Sequence, residues 1–149
     1  MTTIRYAIVL VTAALVSVGC DERLSDIAGP TPNLQPTLSS IQREIFNVTD
    51  ASGRVSCTPC HTNAGRSPAG GLNLLDGASY QALVGVASTG KSGAIRVVPG
   101  NADNSYLLKK LLGSPDIAGV RMPRSNGPYL TEGQISIIRR WIELGAKND

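Results

Sequence analysis

Two thiols and the only imidazole of the chain stand together at Cys57-Thr58-Pro59-Cys60-His61. Cysteines three positions apart can close a disulfide, act as a redox dithiol, ligate a metal, or add to the two vinyl groups of one porphyrin while the next residue places its imidazole beneath the iron. Only the last use gives every residue of the C-x-x-C-H pattern a role, with Cys57 and Cys60 as thioether anchors and His61 as proximal ligand. In a chain of this composition the pattern arises by chance about 0.0004 of the time. A plain Cys57–Cys60 disulfide leaves His61 incidental, and a thioredoxin-like dithiol wants a β-α-β setting that this chain lacks. Zinc needs four ligands, or three and a water, and would have to take the adjacent Cys60 and His61 together. With one histidine, the chain is expected to hold a single haem c and no bis-histidine iron.

A second axial ligand has one soft donor to draw on, since Met122 is the only methionine apart from Met1. Pro123 disfavours helix at Met122 and pushes it into an extended loop from which the thioether can project. Met122 is therefore expected as distal ligand. The alternatives are a gap-filling core methionine, with the iron five-coordinate or bound to a lysine, the amino terminus or water. A histidine–methionine pair raises the potential relative to two histidines and suits one-electron transfer. Arg121 and Arg124 flank Met122 and are expected either to meet the haem propionates or an acidic partner, or to be solvated surface groups.

The elements that must position these residues read as short helices. A first helix is predicted from Ser39, with Gln42 completing a capping box and Ile41, Ile45 and Phe46 on its apolar face, ending before Asp50-Ala51-Ser52-Gly53. A loop covers 65–71, a short helix Ala78 to Val84, and a Gly/Ser-rich stretch runs to Lys91. Another helix follows Pro99-Gly100-Asn101 and carries Tyr106, Leu107, Leu108, Leu111 and Leu112. The last helix has the clearest signals: Thr131 and Gln134 as capping box, Leu130 and Ile135 as staple, and Ile135, Ile138, Trp141 and Ile142 at helical spacing before Gly145. No alternation competes for a strand, so the fold class expected is all-α.

The amino-terminal segment carries Arg5 and then an apolar run, Ala7 to Val18, too short to span a bilayer comfortably and suited to the h-region of a secretory signal. Ser17-Val18-Gly19-Cys20 resembles the lipobox of bacterial lipoproteins, although Ser17 stands where that family usually has leucine. The resemblance implies cleavage after residue 19 and lipidation of Cys20. An ordinary signal peptide and a retained membrane anchor are the other readings. Domain boundaries are expected at 1–19 for the signal, 20–37 for the lipidated cysteine with a Pro-rich tether, and 38–149 for one folded domain. The chain would then be exported to the bacterial envelope, lipid-anchored on the periplasmic side, where free thiols do not persist. Without the leader the 14 basic residues become 13 against 11 acidic, with no dense basic run, so no nucleic-acid partner is expected.

In order and spacing the chain resembles class I c-type cytochromes, in particular the planctomycete-type cytochrome c domain, over roughly Leu38 to Ala146. The features that carry the likeness are C-x-x-C-H after an amino-terminal helix, Gly70-Gly71-Leu72, Val98-Pro99-Gly100 leading into Asn104-Ser105-Tyr106-Leu107, Met122-Pro123, and Leu130-Thr131 opening a helix with Trp141-Ile142 and Gly145-Ala146. The resemblance implies an all-α class I cytochrome c fold, with crossed first and last helices and one covalent haem wedged between them and the methionine loop. It also implies a backbone carbonyl, from Pro68 or a neighbour, that holds the proximal imidazole. The function implied is one-electron carriage between redox partner proteins of the envelope, with no enzymatic chemistry. The alternatives are a haem-based ligand sensor, in which Met122 gives way to a gas or small anion, and a haem subunit or docking domain of a larger redox complex.

Overall fold

The computed structural model describes residues 31, 33–124 and 127–149; the signal at 1–19 and Cys20 lie outside them. In chain order come α1 (Leu38–Ile41), which continues as a π-helical turn (Gln42–Phe46), a 3₁₀ turn (Ala69–Gly71), α2 (Ser79–Leu83), α3 (Tyr106–Leu112) and α4 (Glu132–Glu143). Among the described residues there is no strand; single bridges join Val84 to Val97, Ala87 to Ile95 and Ile95 to Ser105. The expected helical class therefore holds at that level. No described helix is long and apolar enough to cross a membrane.

The first helix starts earlier than its capping pattern predicted. Thr37, not Ser39, is the N-cap, its hydroxyl accepting from Ser40 N. Asp149 closes the same turn, taking the Leu38 N–H on its side chain (2.8 Å) and the Ser39 N–H on its backbone carbonyl (2.9 Å). Gln42 is released from capping and donates instead to the Leu74 carbonyl at 2.7 Å. The wider π turn that follows buries both Ile45 and Phe46, and such turns recur where a helix must present side chains to a site.

Folded structure also reaches back into the segment expected as tether. Leu34 joins the core and Thr31 is buried, its hydroxyl accepting from Gln134 Nε2 at 3.2 Å. The apolar face of α4 needs that cover, because Ile135, Ile138, Trp141 and Ile142 are all buried. The last helix otherwise matches its sequence signals: the Thr131–Gln134 capping box is complete, and the staple residues Leu130 and Ile135 are both buried. Helix packing runs chiefly between α3 and α4.

Candidate functional site

The π turn and the C-x-x-C-H segment are joined by a short hairpin, residues 47–56, that is braced from inside. Arg54 is fully buried, and its Nε meets the Asp50 carboxylate at 2.8 Å. Its Nη1 donates to the carbonyls of Ile45 and Val55 and its Nη2 to that of Val48. Burial alone would raise the Asp50 carboxyl, but hydrogen bonds from Ser52, Arg54 and Gln134 outweigh it and hold the group below its ordinary value. Beyond the hairpin, the Cys57 and Thr58 amides both donate to the Phe46 carbonyl, and His61 N donates to Cys57 O at 3.0 Å. The motif is thus one tight turn hung from the end of α1.

The chain then folds back beneath His61. Leu74 N donates to the His61 carbonyl (2.8 Å) and Ala69 N to the Cys60 carbonyl (3.0 Å), while the imidazole Nδ1 lies 2.9 Å from Ala69 O. A carbonyl can only accept, so Nδ1 carries the proton and Nε2 keeps its lone pair. Burial lowers the imidazole below its ordinary value, against its hydrogen bonds to the Ala69 and Leu72 carbonyls, which act the other way. His61 is therefore held as a neutral, oriented donor of the kind a metal takes, with the backbone partner that such ligands usually have. The carbonyl belongs to Ala69, not to Pro68.

Met122 reaches the site on a loop built upon the C-terminal end of α3. Helix ends leave carbonyls without intrahelical partners, and here the loop uses them. Met122 N donates to Lys110 O at 2.9 Å and Arg121 Nε to Leu111 O at 2.7 Å. Lys110 Nζ returns to the carbonyls of Ala118 and Val120, and Ala118 N donates to Tyr106 Oη. Arg121 also lies 4.0 Å over the Tyr129 ring. Its guanidinium is thus occupied structurally, while Arg124 is exposed.

Cys57, His61 and Met122 line one cavity of about 270 Å³. Ile45, Phe46, Leu72, Leu74, Leu83, Leu107 and Leu111 make its walls apolar, and Arg96 and Lys110 are its two cationic residues. No carboxylate lines it. Cys60 is exposed and does not line the cavity. Burial pushes the Cys57 thiol up to about 11, the reverse of what a redox-active dithiol needs. Among the described residues no group of three His, Cys, Asp or Glu side chains is placed to hold a metal ion by itself.

A porphyrin fits this donor set. It would meet apolar walls, one imidazole with a free Nε2, one thioether, a cysteine on the cavity wall with a second one just outside, and positive charge without competing carboxylates. Ala69 is a neighbour of Pro68, within the expected place for that carbonyl. Arg96 belongs to no motif of the sequence, although a lone cation in the apolar run Ala94-Ile95-Arg96-Val97-Val98 is itself a signal. Burial lowers its guanidinium from the ordinary value. No protein-family model, no curated protein and no solved structure matches this chain.

Proposed function

We propose that this chain is a one-electron carrier that holds a single covalent haem c between His61 and Met122, in a domain of the class I cytochrome c type. Cys57 and Cys60 supply the thioether bonds. The observation that carries the reading is that Cys57, His61 and Met122 line one apolar cavity, with His61 Nδ1 committed to Ala69 O. Haem c supplies the iron that takes up and releases one electron. The protein's part is to fix the donors and keep water away. His61 presents Nε2 without reorganisation, the α3 carbonyls hold the Met122 loop, and Ile45, Phe46, Leu72 and Leu107 form a dry wall. With His61 and Met122 both held by the iron, the site would suit electron transfer and not turnover of a substrate. In this reading the chain is exported and lipid-anchored through Cys20 in the bacterial envelope, where it exchanges electrons with redox partner proteins.

The test is an absorption spectrum of protein matured with covalent haem, oxidised and reduced, beside Met122→Ala. A c-type spectrum with a thioether–iron charge-transfer band that the variant loses is the expected result. A c-type spectrum indifferent to the substitution would turn the reading to a ligand-binding sensor. Absence of covalent haem would overturn it.

A further inference from the structure

Among the described residues two arginines are buried, and they are treated differently. Arg54, fully buried, has the Asp50 carboxylate at 2.8 Å. Arg96, 7% exposed, has no carboxylate within ion-pair distance among the described residues. Its described hydrogen bonds are to neutral carbonyls: Nη1 to Ala82 O at 2.8 Å and Nη2 to Gly70 O at 3.0 Å. A guanidinium has five N–H donors in a planar fork, so most of the fork is left for another acceptor. Burying a cation without an anion is costly, and the cavity beside Arg96 contains no acidic side chain.

The backbone keeps this corner open. Gly71 has φ +60°, and a Cβ there would come 3.3 Å from Thr89 Cγ2 and 3.5 Å from Arg96 Nη2. Thr89 Oγ1 donates to the same Gly70 carbonyl that Arg96 uses, and Ser88 and Gly90 line the cavity next to it. An apolar cavity ending in an unneutralised, oriented guanidinium fits a ligand with an apolar body and a carboxylate at its edge.

We propose that Arg96 is the anchor for one haem propionate, held in its guanidinium fork beside Gly70 and Gly71. The assignment rests on the haem reading above. It displaces Arg121 and Arg124, the sequence-based candidates, from this role. The bond is a charge-assisted, geometrically matched pair of the kind arginine makes with carboxylates. Removing Arg96 leaves the propionate charge uncompensated near the iron and favours the oxidised, more positive form.

The experiment compares haem-loaded wild type with Arg96→Gln and Arg96→Lys. Arg96→Gln should keep the covalent haem and the thioether–iron band while its reduction equilibrium falls roughly tenfold, about 59 mV for one electron. Arg96→Lys, which keeps the charge, should recover most of that loss. Resonance Raman bands of propionate bending should shift in Arg96→Gln. An unchanged potential and unchanged propionate bands in a loaded Arg96→Gln protein would overturn the assignment and leave the haem reading intact. Absence of covalent haem from the wild type would overturn both.

Should Arg96→Gln fail to accumulate, the wild type decides by ¹³C labelling of the propionate carboxyls. One carboxyl carbon should stay at its ionised position down to about pH 4 while the other titrates. The other titratable groups on the cavity wall are His61, Lys110, Cys57 and Tyr106, and none is a carboxylate. Two propionates that titrate alike would overturn the proposal.

Discussion

Asp50→Ala removes the one carboxylate that faces buried Arg54, and the structure allows its cost to be worked out. Arg54 keeps its bonds to the Ile45, Val48 and Val55 carbonyls but loses the ion pair at 2.8 Å, with both side chains at most 3% exposed. Breaking a buried pair by deleting one partner costs about 3–5 kcal/mol, because the survivor stays buried and charged. The variant also frees the Ser52 and Arg54 amides and one arm of Gln134. With roughly 120 folded residues and an unfolding entropy near 2.1 cal/mol/K each, 1 kcal/mol corresponds to about 4 °C, so the midpoint should fall by about 12–20 °C. Urea unfolding and a thermal scan of the apoprotein read this directly. In the double variant Asp50→Ala/Arg54→Met much of the loss should return, since the uncompensated cation is gone. A loss below about 1 kcal/mol for Asp50→Ala would mean that the pair behaves like a solvated surface bridge, and would refute the idea that it braces the hairpin. The same carbonyl of Ile45 accepts from Arg54 and, at 3.8 Å, from Cys57 Sγ. A loosened hairpin should therefore also lower the fraction of chains that acquire covalent haem.

Other perturbations reach different parts of the site. Gly113→Ala should cost about 1–3 kcal/mol and weaken the Met122 band of the loaded protein. Gly113 has φ +74°, and its new methyl would meet Arg121 Cδ at 2.9 Å. In the apoprotein, iodoacetamide at pH 8.5 should modify exposed Cys60 at least tenfold faster than Cys57, measured by peptide mass spectrometry. With the Cys57 thiol at about 11, roughly 1 molecule in 300 is ionised there. Acid should unfold the apoprotein in two windows, followed by tryptophan fluorescence of Trp141. His61 is lowered by burial, so the unfolded chain binds its proton more readily and stability declines as pH falls through the ordinary histidine range near 6.5. Asp50 is held low, so its contribution is present above about 4 and is lost as pH falls through its folded value. Asp50→Asn should remove the second window only.

Spacing along the chain brings the two thiols and the imidazole of Cys57-Thr58-Pro59-Cys60-His61 into one turn, a local property that needs no tertiary information. The same holds for the α4 cap, where Thr131 and Gln134 satisfy each other within one turn, and for Met122, singled out by composition and by the proline after it. Residues 31–37 show the limit of local reading. Their composition looks like a tether, yet Leu34 is buried in the core and Thr31 is buried where Gln134 of α4 donates to its hydroxyl. Helix α1 shows it again, its true cap being Thr37 with the distant Asp149, and a capping signal at Ser39 cannot register a partner 110 residues away.

Only the folded chain decided which polar groups face one another. Gln134 reads from sequence as a capping residue, and it is one; its amide nitrogen also reaches Thr31 and Asp50 and ties α4 to the hairpin before Cys57. Asp50 and Arg54, four residues apart, carry no local signal that sets them apart from a solvated pair, and it is burial that makes them a brace. Arg96 stands out only in the folded chain, which buries it with no carboxylate within ion-pair distance among the described residues. Local bonding is set by neighbours in sequence, whereas the worth of a charge is set by burial and by the groups that share its cavity, and these depend on the whole tertiary fold.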